Sequence, residues 1–541
     1  MNQFVVFLFS ALAFLNTCLR GNDASLRSVK VAKFEQLDSA FCEGDVIEII
    51  GDIDLCGRTV ILPHKSVLFL SDGRISNGQL VGDSTRIKTD RSNVFKNVRF
   101  SGAFLGKVNP LWFSIQYSVP IDNSFELNSA LKLASISSDK TLVLPYKRHI
   151  YVKSDIEKSQ WRDYLRTGSV EVLSGVTIDL NKCTIQALTN GEPRYNILFS
   201  RNSRDIVIRN GRIKGDMASH SGQRGEWGYG IELQGVHGFL IENVECCDCW
   251  GDGINIQVST DGDGNPESQV TLNGHCRDGI IRNVYSHHNR RQGMSVEGII
   301  GLVVTNSRFD YSDGANPRSG LDIEPYSSNN VVRDVTISQC HFDQNAYSGI
   351  LIMGDNVKDV VIDNCYFFEN QQYSLTLKGE NINIKNCHVS LRQPPVSLRL
   401  VGNCNNVEIT NCDLSRISAQ NFSQGDHVDN IRFSKCTISP SGISGYSYLS
   451  DDETLKSCSI SFYDCEFDFR RYKSIDGIFH YHNTNSYYFY KNCKFKMGLN
   501  KLEISHSQYF VDCNFDLITN KKSTQKYIQE KSSSFKRCFV K

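Results

Sequence analysis

One five-residue phrase recurs between Gly228 and Val401, and it restricts the fold more than anything else in this chain. It reads Gly230-Ile-Glu-Leu-Gln234, Gly253-Ile-Asn-Ile-Gln257, Gly293-Met-Ser-Val-Glu297, Gly320-Leu-Asp-Ile-Glu324, Gly349-Ile-Leu-Ile-Met353, Ser374-Leu-Thr-Leu-Lys378 and Ser397-Leu-Arg-Leu-Val401. Successive starts lie 23, 40, 27, 29, 25 and 23 residues apart, a period that marks a solenoid. In each phrase the first and third residues after the opening Gly or Ser are apolar while the second and fourth vary, as a strand with one buried face requires. Stacking the phrases about 4.8 Å apart gives two outward columns. One carries Glu232, Asn255, Ser295, Asp322, Leu351, Thr376 and Arg399; the other carries Gln234, Gln257, Glu297, Glu324, Met353, Lys378 and Val401.

A second phrase alternates with the first: Asp205-Ile-Val-Ile-Arg-Asn210, Phe239-Leu-Ile-Glu-Asn243, Asp334-Val-Thr-Ile-Ser-Gln339, Asp359-Val-Val-Ile-Asp-Asn364, Asn381-Ile-Asn-Ile-Lys-Asn386 and Asn406-Val-Glu-Ile-Thr-Asn411. Each is an alternating strand closed by Asn or a relative, which tolerates the left-handed backbone of a tight corner. With a third short strand the repeat predicts three faces per coil. The Cys residues 340, 365, 387, 412, 436, 465, 493 and 513 hold one position of successive coils, so they are expected as buried, mostly reduced thiols that behave as small hydrophobes. Parallel Cβ vectors on adjacent rungs suit disulfides poorly.

At 541 residues the chain would ordinarily divide into several domains, but a repeat that runs almost to the C-terminus predicts one long rod. The formal net charge is zero, so nothing suggests a nucleic-acid partner, and no apolar run after the N-terminus is long enough to span a bilayer. Phe4 to Leu15 form a short apolar segment, and residues 1–20 read as a secretory signal peptide. Leu15-Asn-Thr-Cys18 loosely fits a lipid-attachment sequence at Cys18. A secreted, periplasmic or cell-surface monomer is expected.

Residues 34–108 read as a small N-terminal β-helical module, with short strands at Gly44-Asp-Val-Ile-Glu-Ile-Ile50, Thr59-Val-Ile-Leu62 and Val67-Leu-Phe-Leu70. A helix is predicted near 122–135, opened by the capping run Asp122-Asn-Ser and carrying Phe125, Leu127, Leu131 and Leu133. Thr141-Leu-Val-Leu-Pro-Tyr146 and His149-Ile-Tyr-Val152 begin the main β-helix, which occupies the rest of 109–541. This order of amphipathic helix, strand ending Leu-Pro and Tyr-x-Val resembles the entry segment of the pectate-lyase (pectin-lyase-like) superfamily. The resemblance implies an all-β, right-handed parallel β-helix whose helix caps the open end. The basic tail from Lys521 is expected to cover the last coil.

Insertions in a solenoid become loops, often on the binding face. Arg212 to Gly228 carries His220, Arg224, Glu226 and Trp227, and Val258 to Arg277 carries Asp261, Asp263 and His275; both flank the carboxylate-rich rungs. Asp261-Gly-Asp-Gly-Asn265 begins like a calcium loop but has Leu272 where the bidentate Glu belongs. Trp227, Tyr229 and Trp250 offer flat faces suited to sugar rings; the alternative for each is a plug in the junction between loop and helix. Together with Glu232, Asn255, Gln257, His275, Arg291 and Arg318 they form the candidate substrate-binding set. His287 and His288 lack a third ligand at metal spacing, so no metal site is predicted from them.

Asp252, Glu297, Asp322 and Glu324 are the candidate catalytic carboxylates. Glycoside hydrolysis needs one protonated acid and one ionised carboxylate, and neighbouring rungs supply the required spacings. Trp250-Gly-Asp-Gly-Ile-Asn-Ile256 is similar to the Asp-Asp-Cys-Ile-Ala-Ile region of polygalacturonase-type hydrolases, with Asp252 matching the second catalytic Asp and Gly251 replacing the first. The predicted function is therefore cleavage of a polysaccharide by paired carboxylates without a required cofactor. Two alternatives stand beside it. One is a lyase performing β-elimination on a uronic-acid polymer, with an Arg as base among Arg290, Arg291 and Arg318 and calcium held by Glu297, Asp322 and Glu324. The other is a non-catalytic glycan-binding rod.

Overall fold

A computed structural model of the chain describes residues 27–38, 41–154, 170–259, 274–389, 396–420 and, in shorter pieces, 422–541. The expected signal segment, Cys18 and the Asp261-to-Asn265 loop lie outside the described residues.

Alternating apolar residues produce two parallel sheets. A seven-stranded sheet holds the segments from Ser28–Val31 to Phe95–Leu105, in parallel register throughout. A 37-stranded sheet runs from Thr141–Val143 to Phe539–Val540. In the second sheet each strand pairs with the strand one coil later: Ile231 opposes Ile254, Ile254 opposes Met294, Met294 opposes Leu321 and Leu321 opposes Ile350. These apolar residues stack into one continuous core, reinforced by a ladder of parallel rings at Phe309, Phe342 and Phe367 with centroids 5.6 and 5.3 Å apart. Such offset stacks add to the area term of burial.

The Gly that opens each of the first five phrases is set by close approach. A Cβ at Gly293 would lie 2.4 Å from the Gly320 carbonyl oxygen, and one at Gly230 would lie 2.5 Å from that of Gly253. Neighbouring coils leave no room for it.

Asn210, Asn243, Asn364, Asn386 and Asn411 all have φ between 52° and 64° and turn the corners. Their amides form a ladder, as in Asn411 Nδ2 to Asn386 Oδ1 (2.8 Å) and Asn386 Nδ2 to Asp363 Oδ1 (2.9 Å). The Cys column is buried, and each thiol reaches backbone carbonyls, as Cys365 Sγ does toward Ile337 and Asp363.

Helix α1, Ser124–Ser135, buries Leu127, Ala130, Leu131, Leu133 and Ala134. It packs against Phe95–Leu105 on one side and Thr141–Val143 and Val170–Glu171 on the other, so it joins the two sheets. Phe125, expected on its apolar face, is exposed. The cap also differs: Asp122 Oδ1 accepts the N–H groups of Ser124 and Lys153, both at 2.9 Å, while Asn123 is turned inward to the Gln116 backbone. At the other end, helix α2 (Lys521–Glu530) buries Thr524 and Ile528, and the tail adds a further rung in which Phe535 opposes Phe510.

Candidate active site

The register fixes the first outward column as Phe199, Glu232, Asn255, Ser295, Asp322, Leu351, Thr376, Arg399 and Ser418. In the second, Gln234 opposes Gln257 and Met353 opposes Lys378. The backbone ladder carries this column through Glu297, whose N–H donates to Ile256 O (2.8 Å), and Glu324, whose N–H donates to Val296 O (3.1 Å). The two columns thus bring Glu232, Asn255, Gln257, Glu297, Asp322 and Glu324 onto one face.

Enclosure divides the carboxylates into different chemical states. Glu232 is buried and receives four donors, from Arg194 (2.9 Å), Gln234 (2.8 Å), Asn196 and Gln257. Through these four bonds Glu232 ties together side chains from three successive coils and organises the upper rungs.

Asp252 is also completely buried. Its oxygens accept from Ser295 Oγ (2.8 Å), the Gln292 N–H (3.1 Å) and Arg291 Nη1 (3.1 Å). Burial raises its pKa, and Arg291 is the main opposing influence. Asp252, a candidate catalytic carboxylate whose direction the sequence left open, faces inward and exposes no oxygen on this face. It anchors Arg291, which it aims at the carboxylate patch.

Asp322, Glu297 and Glu324 differ from that pattern because no cation among the described residues is bonded to them. Asp322 is buried; Gln292 Nε2 donates to its Oδ2 (2.7 Å), and Gln292 is itself oriented by the Ser319 N–H at 2.7 Å. Asp322 Oδ1 is enclosed and makes no hydrogen bond. Burial, and then the neighbouring Glu324, push the Asp322 pKa well above the usual carboxylate range. Burial also raises Glu297 to about 7, against a single hydrogen bond from Asn255 Nδ2 (3.0 Å). Glu324 is exposed at the rim, and desolvation by the surrounding walls still raises it, with Arg291 opposing. Like charges this close cannot all ionise.

Tyr229 is buried beside these groups, its phenol pushed well up by burial, with the Arg194 guanidinium 5.7 Å from its ring centroid. Trp227 is half-buried at the head of the same strand, in register with Arg194. Trp250 does not offer a free face: His220 stacks on its ring at 4.0 Å and the Arg290 guanidinium lies over it at 3.9 Å, while Nε1 donates to Arg224 O. It plugs the junction between loop and coil and is not a sugar platform. His275 is likewise corrected, because it is fully buried and its Nε2 accepts the Val331 N–H at 2.9 Å. A group so enclosed cannot meet a polymer. Arg318 borders the patch, with Nη1 3.9 Å from Asp313 and a buried Nε that makes no hydrogen bond.

Several positions escaped the sequence reading. Arg194, Gln292 and Ser295 hydrogen-bond Glu232, Asp322 and Asp252, and Tyr347 joins from the next coil through Arg399, whose Nη1 donates to its hydroxyl at 2.9 Å. Arg399 and Ser295 stood in the outward column, but nothing in a single strand marks which partner such a residue meets.

A family model described as a right-handed beta helix region matches residues 273–427. The chain is 27% identical over 247 residues to the SPbeta prophage-derived uncharacterized protein YorA of Bacillus subtilis (strain 168), covering 43% of this chain and 41% of that protein. It is 24% identical over 274 residues to the uncharacterized protein YclG of the same organism, covering 46% and 45%. The chain thus spans less than half the length of these curated relatives. Among solved structures it is similar to the A-module of Azotobacter vinelandii mannuronan C-5 epimerase AlgE4, with TM-score 0.53, 15% identity, and 70% of this chain and 99% of that one covered. The AlgE6 A-module gives TM-score 0.51 at 13% identity, covering 76% and 99%. The parallel register, the family-model match and these likenesses agree on a right-handed parallel β-helix of the pectin-lyase-like fold.

Proposed function

We propose that the chain cleaves glycosidic bonds in a polysaccharide by acid/base hydrolysis on the face built by Glu297, Asp322 and Glu324. The observation that carries this reading is the unequal state of neighbouring carboxyls. Glu297 is raised to about 7 and keeps its proton at mildly acid pH, while Glu324 sits exposed one rung away. Paired carboxyls in unlike environments are what such a reaction requires. Glu297 then protonates the leaving oxygen, and the ionised Glu324 acts as base or nucleophile. Asp322, enclosed beneath the rungs with Oδ2 held by Gln292, keeps its proton and so limits the negative charge beside Glu297 and Glu324. The proteins of similar fold carry names that place their action on mannuronan, which supports a polysaccharide substrate. Export by the N-terminal signal would deliver the rod to such a polymer.

Calcium-assisted elimination is the second reading, favoured by one observation. Asp322 Oδ1 and Asn255 Oδ1 are buried oxygens without hydrogen bonds beside Glu297, and oxygen donors suit calcium. Against it, Arg291 is locked to Asp252, and Arg290 Nη1 donates to the carbonyls of Gly225 and Trp250, so neither is free to take a proton. Arg318 remains as the base.

The test is a panel of neutral glucans and uronate polymers, mannuronan included, with and without chelator. New reducing ends without ultraviolet absorbance from unsaturated uronate, lost in Glu297→Gln and Glu324→Gln, are expected. Chelator-sensitive absorbance lost in Arg318→Ala would replace hydrolysis by elimination. Binding without cleavage on every polymer would overturn both in favour of a glycan-binding rod.

A further inference from the structure

A second cluster lies on a different face of the same coils. Glu245 and Cys247 are alternate residues of the strand His237–Cys247, and the next coil places Tyr285 opposite Glu245 and His287 opposite Cys247. Glu245, Cys247 and His287 each offer one ligand atom, and these atoms lie within 4.8 Å of one another. From sequence, His287 lacked further ligands because the other two stand 42 and 40 residues earlier. Stacking of the coils supplies them.

We propose that Glu245, Cys247 and His287 bind a divalent transition metal of the zinc class. Zinc bond lengths of about 2.0–2.3 Å in a tetrahedral site imply ligand-to-ligand edges of about 3.3–3.8 Å. His287 Nε2 and Glu245 Oε1 are already 3.2 Å apart, so closing the set requires only a modest swing of the Cys247 side chain. The surroundings prepare each ligand. Arg212 Nη2 holds Glu245 Oε2 at 2.8 Å, which leaves Oε1 for a metal. His287 Nδ1 lies 2.7 Å from His288 Nδ1. With His288 accepting there, Nδ1 of His287 carries the hydrogen and Nε2 keeps its lone pair, the outer-shell arrangement that orients metal-bound His. His288 is itself held by stacking on Tyr311 at 4.6 Å.

Cys247 is buried and His287 half-buried, so the ligand atoms are shielded from bulk water. A bound dication acts on the thiol, which loses its proton to solvent as the sulfur–metal bond forms. The Glu245 carboxylate and the Cys247 thiolate then offset the two charges of the metal, and the Arg212 guanidinium on Glu245 Oε2 leaves the cluster with one positive charge. Asp248 and Lys214, 3.7 Å apart, add no net charge beside them. Three protein ligands leave one tetrahedral position for water or a small ligand, and Glu245 also lines a groove of about 790 Å³ with Arg212, Tyr285, Asn210 and Asn243.

The site is tested on the full chain after chelator treatment and dialysis, by titration with Co(II) and Zn(II). One equivalent of Co(II) is expected to give an intense near-ultraviolet thiolate charge-transfer band that Zn(II) abolishes. The band should vanish in Cys247→Ser, and His287→Asn should weaken binding at least about tenfold. His288→Phe keeps the stack on Tyr311 but removes the outer acceptor, and should lower affinity by about 10–100-fold. Absence of the band in the wild-type chain, or its survival in both Cys247→Ser and His287→Asn, would overturn the assignment. Folding of each variant is verified by its circular dichroism, and should Cys247→Ser misfold, the His288→Phe series decides alone.

Discussion

Glu297→Gln separates the electrostatics of the patch from its shape. Gln keeps the volume, and its Oε1 still accepts from Asn255 Nδ2, but it has no charge to bury. The wild-type carboxyl rises from 4.5 to about 7 on folding because it is desolvated. The sign follows from proton binding: between these values the folded chain holds more protons than the unfolded one, so this group's contribution is full below pH 4.5 and is lost as pH rises through 7. Between pH 5 and pH 8 the wild type should lose about 2.5 kcal/mol relative to Glu297→Gln, from the linkage relation applied to that shift. The measurement is denaturant unfolding of both proteins at the two pH values, with reversibility checked by refolding. Parallel pH dependences, with no widening gap in favour of the variant at pH 8, would refute the claim that burial raises this carboxyl. That would also remove its role as the proton donor.

The same shift predicts that hydrolysis falls as pH rises above about 7, when Glu297 loses its proton, and a pH–rate profile of kcat/KM checks it. Asp252→Asn removes the nearest counter-charge of the part-buried Arg291, leaving the more distant Glu226, and should destabilise the fold by about 1–3 kcal/mol, with activity lost as Arg291 is released; thermal unfolding and the reducing-end assay read the two effects. Phe342→Ala removes the middle ring of the Phe309–Phe342–Phe367 stack and should cost about 3–5 kcal/mol, measured by denaturant midpoint, because both flanking rings are fixed by their own coils.

The five-residue phrase and the Asn corners made the solenoid legible because both are local requirements repeated many times. An alternating strand shows its buried face in its own residues, and a left-handed corner shows in an Asn at its end. The columns Glu232 to Arg399 were legible for the same reason, since register follows once the phrases are aligned. What failed was direction and partnership. His275 sits in a loop between strands, where parity gives no orientation, and it turned into the core. For Trp250 the sequence left two roles open, a face for sugar rings or a plug between loop and helix, and only His220 and Arg290 packed on the ring decide for the plug. Asp252 matched a motif position, yet three donors from the next coil enclosed it.

By itself the sequence determined that the chain stacks in parallel coils, which residues point outward, and where carboxylates concentrate. Those properties depend on periods of two residues along a strand and of 23 to 40 along the chain, and both are written in one dimension. The tertiary structure decided which carboxyl keeps its proton, which Arg is pinned, and that Glu245 and Cys247 stand beside His287. Burial and opposing charge arise only when neighbouring coils close over a side chain, so residues some 40 positions apart set each other's chemistry.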